Sequence, residues 1–115
     1  MPTCSLTDVQ RLIGLAMIGS KVSARAAADY GLSTPRAERF IRDAISSLQP
    51  DCFVELSLQT YPGKPSFDAD VYATVYQQRP CYIKFHMSSR RVIVLSCHIP
   101  LHPITRIDGT VVGTV

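Results

Sequence analysis

Polar and apolar side chains alternate through two stretches in the second half of this 115-residue chain. In Cys81-Tyr82-Ile83-Lys84-Phe85-His86-Met87 the odd positions are apolar and the even ones carry polar groups. In Val92-Ile93-Val94-Leu95-Ser96-Cys97-His98 the alternation returns and ends on a histidine. A strand repeats every two residues, so each stretch predicts a strand with one buried face and one open face. Phe53 to Gln59 and Val71 to Tyr76 alternate in the same way. Between them, Tyr61-Pro62-Gly63-Lys64-Pro65-Ser66 has the chemistry of a loop.

The first half has helical spacing instead. Thr7 with Gln10 predicts a capping box ahead of Val9, Leu12, Ile13, Ala16 and Met17. An Ala-rich helix from about Ser23 to Tyr30 is predicted to stop at Gly31. Thr34 then caps a third helix with Pro35 in its first turn and a buried stripe of Ala37, Phe40, Ile41, Ala44, Ile45 and Leu48. Together these predict an α+β domain over residues 1–98. Three N-terminal helices would cover one face of a twisted, mainly antiparallel four-stranded sheet. Residues 99–115, with two prolines and two glycines, read as an irregular tail.

Register decides which side chains meet. An odd number of residues in the hairpin around Ser88-Ser89-Arg90-Arg91 would place Tyr82, Lys84 and His86 on one face with Ser96 and His98. His98 then stands across from Tyr82, and Val92 and Val94 join the polar face.

A net charge of +3 is mildly basic and permits a polyanionic partner without demanding one. No apolar run reaches membrane-spanning length and no secretory leader is evident, so a cytoplasmic protein is expected. Cys4, Cys52, Cys81 and Cys97 form no CxxC pair. Cys81 and Cys97 read as reduced core residues, with a bridge between adjacent strands as the alternative.

The open face predicted by the alternation holds an acid–base set: Glu55, Tyr82, Lys84 and His98, with Lys64 and Arg79 from the loops. Histidine exchanges protons near neutral pH, lysine offsets phosphoryl charge, and tyrosine stacks on a base or donates a hydrogen bond. Such groups suit RNA cleavage by the RNA's own 2′-hydroxyl, which needs neither metal nor protein nucleophile. Arg90 and Arg91 at the hairpin tip would grip phosphates. Read structurally, the same face is merely solvated. His98-Ile99-Pro100-Leu101-His102 beside Cys97 hints at zinc, but Pro100 breaks the helix that would align the two imidazoles. No metal or cofactor is expected.

From Asp51 through His98 the chain resembles the MqsR-like toxins of the RelE-type ribonuclease superfamily. The matching pieces are Thr60-Tyr61, Asp70-Val71-Tyr72, Cys81-Tyr82-Ile83-Lys84-Phe85 and Val92 to His98. The resemblance implies N-terminal helices on a twisted antiparallel sheet, mRNA cleavage, and neutralisation by a cognate antitoxin protein. It also implies RNA contact by Tyr61. The family's active-site tyrosine falls on Tyr82, its C-terminal lysine on His98, its earlier strand lysine at or near Glu55, and its glutamine on Ala69. His98 paired with Glu55 would then be a variant catalytic pair.

Two other classes compete. Residues 23–42, a short helix, a glycine turn and a second amphipathic helix, resemble a helix-turn-helix. Arg36, Arg39 and Arg42 would then face DNA. A catalytically inactive protein-interaction module of the same fold is the remaining alternative.

Overall fold

The computed structural model describes residues 1–113. Ser5 opens α1 (Leu6–Arg11) by accepting a hydrogen bond from the Asp8 backbone N–H at 3.3 Å. The expected Thr7–Gln10 capping box is replaced by this earlier cap. Gln10 instead donates its side-chain amide to the carbonyls of Ile45, Ser46 and Leu48. The helical pattern through Met17 breaks at a 3-10 turn over Ile13–Leu15, and Met17–Ile18 forms a short strand, β1. Helix α2 (Ser20–Tyr30) ends at Gly31, whose φ of 66° supplies the left-handed cap. Helix α3 (Thr34–Ser46) starts after Ser33, and its predicted stripe from Ala37 to Leu48 is buried.

The strands are β2 (Phe53–Gln59), β3 (Phe67–Tyr76), β4 (Arg79–Ser88) and β5 (Arg91–His98), and the sheet order is β1-β5-β4-β3-β2. This corrects the predicted four-stranded antiparallel sheet. β1 joins the β5 edge in parallel, pairing Met17 with Ile93 and Ile18 with Val94, which makes the sheet five-stranded and mixed. The apolar segment between Gly14 and Gly19 is too short to extend a helix, and the open edge of β5 offers its backbone groups partners. A second, two-stranded sheet pairs β6 (Ile104–Thr105) with β7 (Val111–Val112). The tail expected to be irregular thus carries a hairpin. It is tied to the main sheet by Arg106 Nε donating to the Ala73 carbonyl and Ile107 N–H donating to the Phe53 carbonyl, both at 2.8 Å. Thr114 and Val115, the last residues of that tail, lie outside the described part.

The helix-side face of the sheet carries Tyr72, Ile83, Phe85, Val92, Val94 and Cys97, which share one core with the α3 stripe. The β4–β5 hairpin reaches this arrangement by a different route from the one predicted. Ser88 pairs with Arg91, so the loop is the even pair Ser89–Arg90. A bulge at Leu95 then shifts the register by one: Phe85 faces Val94, whereas Lys84 faces Ser96. Val92 and Val94 therefore point into the core, at 0% and 2% exposure, and not onto the polar face.

Candidate functional site

His98 arrives opposite Tyr82 because the Leu95 bulge adds the one residue that the even turn lacks. Their rings stack with centroids 5.1 Å apart and planes 19° from parallel. A second bulge acts on Glu55. Phe53 pairs with Tyr72, but Glu55 pairs with Val71, which turns the carboxylate onto the face shared by Tyr82 and His98. Glu55, Tyr82, His98 and His102 line one cavity of about 330 Å³, walled by Leu101, Pro103 and Ile104 from the tail.

The electrostatics follow from that placement. Burial pushes the Tyr82 phenol up from its ordinary range, and the nearby Glu55 charge pushes it further. Tyr82 therefore stays protonated at neutral pH and is available as a donor. His98 Nδ1 lies 2.8 Å from the Ile99 carbonyl, which can only accept, so Nδ1 carries a proton and Nε2 is the nitrogen free to act.

The remaining candidates divide between two ends and two faces of the sheet. Lys84 shares the outer face but sits one row away, between Val71 and Ser96. Tyr61 stacks on Phe67 at 6.1 Å, and Phe67 lies 4.1 Å from His86, forming an aromatic row on the outer face. From Tyr82 to His86 is four strand residues, about 13 Å. His86 Nδ1 is buried there and has no hydrogen-bond partner among the described residues. Lys64 is in the exposed loop that leads to this end. Arg90 lies in the turn and Arg91 reaches the Met17 sulfur at 3.4 Å. These four residues, Tyr61, Lys64, Arg90 and Arg91, are not gathered around His98. Arg79 is separated from it by the sheet itself: its guanidinium lies over the Phe40 ring at 5.6 Å, on the helix side.

Cys97 points into the core at 1% exposure, away from both His98 and His102, so the zinc-like spacing of these three residues does not converge. His102 is present as a cavity wall instead. Lys21 and Arg25 were not anticipated near the site. With Ser96 and His98 they line a second cavity, of about 210 Å³, between α2 and β5. Nothing in the helical spacing of α2 marks them, because the contact depends on how α2 crosses the sheet. Compared with protein-family models, curated proteins and solved structures, the chain has no match.

Proposed function

We propose that this protein is a metal-independent endoribonuclease acting on single-stranded RNA, in the manner of the toxin family its strand motifs resemble. The observation that supports this reading is the meeting of Glu55, Tyr82 and His98 in one cavity on the outer face. The Glu55 carboxylate takes the proton of a ribose 2′-hydroxyl, and the freed oxygen attacks the adjacent phosphorus. His98, in its imidazolium form, gives the Nε2 proton to the departing 5′-oxygen as the P–O bond breaks. The products are a 2′,3′-cyclic phosphate and a free 5′-hydroxyl. Tyr82 donates to a phosphoryl oxygen, and Lys84 offsets charge from the adjoining row. Bases flanking the cut stack on the Tyr61–Phe67–His86 row.

The reading places the protein in the cytoplasm with its mRNA substrate, and a cognate antitoxin protein as its inhibitory partner. Among the described residues no helix is long and apolar enough to cross a membrane. Incubation with single-stranded RNA in EDTA tests the proposal. Cleavage leaving a 2′,3′-cyclic end, reduced about a hundredfold or more by His98→Gln, is the expected result. Intact RNA, or cleavage indifferent to that substitution, would overturn it.

A further inference from the structure

A third cavity, of about 280 Å³, opens on the helix side of the sheet, where the first turns of α3 meet the β3–β4 turn. Three arginines line it: Arg36 and Arg39 from α3, and Arg79 from the start of β4. None of the three guanidinium groups has an ion-pair or side-chain hydrogen-bond partner among the described residues. The ion pairs among the described residues lie elsewhere, joining Arg11 to Asp8 and Arg25 to Asp29. Arg42, one turn further along α3, is used differently, since it donates to the carbonyls of Ile13 and Ala16. The cavity's own carboxylate, Asp43, offsets only one of its three positive charges.

Arg79 is also held in place. Its guanidinium lies over Phe40, and Phe40 meets the Tyr76 ring edge-on at 5.4 Å. A stacked guanidinium keeps its N–H fork free in a set orientation, which suits bidentate binding of phosphate oxygens. Gathering three cations in a concave site with a single counter-charge, Asp43, is unfavourable until an anion enters.

We propose that Arg36, Arg39 and Arg79 form a binding site for a phosphate-bearing ligand. The site lies on the opposite face of the sheet from Tyr82 and His98, and it stands whether or not those residues cut RNA. Two sources carry the required chemistry, a free oligophosphate and the phosphate backbone of single-stranded RNA.

Calorimetric titration with inorganic pyrophosphate tests the site without reference to cleavage. Saturable one-to-one binding is expected, weakened about tenfold or more by Arg39→Gln or Arg79→Gln. The charge-matched control Arg11→Gln should change affinity less than about twofold. Arg79→Lys keeps the charge and removes the fork, so it should fall between wild type and Arg79→Gln. Thermal melts of each variant separate lost binding from lost folding. No saturable binding, or an equal loss in Arg11→Gln, would overturn the proposal. A fluorescent oligouridylate distinguishes the sources. RNA displaced by pyrophosphate and weakened by Arg39→Gln identifies the backbone as the ligand. RNA indifferent to both, with pyrophosphate bound, identifies a free oligophosphate.

Discussion

Tyr82 and His98 face each other directly across β4 and β5, with ring centroids 5.1 Å apart. Stacking holds the imidazole flat against the phenol, and the Ile99 carbonyl fixes the proton on Nδ1. The two halves of Tyr82 can therefore be tested separately. Tyr82→Phe keeps the stack and removes the donor, and RNA cleavage should fall about tenfold, the effect of one lost hydrogen bond. Tyr82→Ala frees the imidazole as well, and its cleavage should fall further, by about a hundredfold or more. Equal rates for the two variants would mean that the stack does not position His98.

The pairing was legible in the alternation alone. Cys97 and His98 differ so much in polarity that only one register buries the first and exposes the second. The device that achieves it was not legible, because a bulge at Leu95 and a three-residue loop have the same effect on His98. They differ at Val92 and Val94, and burial of these valines shows which one operates. The direction of Arg79 is contained in the pattern. It shares parity with Cys81 and Ile83, so the period of two already places it on the helix side. β1 had no such signal, since the two residues ahead of Gly19 fit a fraying helix as well as a strand.

Asp70 was likewise hidden, as a carboxylate within a strand motif. It is fully buried, and it accepts from Thr3 N–H and Oγ1 at 2.8 Å each, from Cys4 N–H at 3.4 Å and from Cys4 Sγ at 3.3 Å. The N-terminal segment is anchored to β3 through this one side chain. Asp70→Ala should cost about 2–3 kcal/mol in urea unfolding, and Thr3→Ala about 1 kcal/mol. Limited proteolysis should then cut ahead of Ser5 in Asp70→Ala before the rest of the chain opens.

The same anchor gives the fold an alkaline limit. Burial, and then the Asp70 charge, push the Cys4 thiol up from 9.0 to about 12. The folded chain keeps this proton where the unfolded chain releases it. Stability from Cys4 is therefore complete below about pH 9 and declines as pH rises toward 12, because the unfolded state binds fewer protons across that window. Urea midpoints measured in reductant at pH 7.5, 9.5 and 10.5 should fall. The fall should be shallower in Cys4→Ala, whereas an unchanged slope would assign the decline to other groups.

Both two-residue turns of the main sheet use residues poorly suited to them. Gln77 and Gln78 have φ of 51° and 65°, and Ser89 and Arg90 have 51° and 63°. Positive φ at both positions is the type I′ geometry, which favours Asn-Gly. Each side chain held there costs about 1 kcal/mol, partly recovered when glycine replaces it. Gln78→Gly should therefore raise stability by about 0.5–1 kcal/mol, read as an increase in the denaturant midpoint at constant slope. A decrease would mean that the Gln78 side chain makes a compensating contact.

Leu95 is the unpaired residue between Val94, which faces Phe85, and Ser96, which faces Lys84. Deleting it should close the bulge without altering either flanking pair, leaving Cys97 beneath the helices and His98 on Tyr82. The loss of a half-buried leucine should cost less than about 2 kcal/mol. Nuclear Overhauser contacts between the Tyr82 and His98 rings should persist in the deletion variant, and RNA cleavage should stay within about tenfold of wild type. If the ring contacts vanish while the chain remains folded, the bulge also bends β5 to aim the imidazole, and its geometry, not its residue count, is what the site requires.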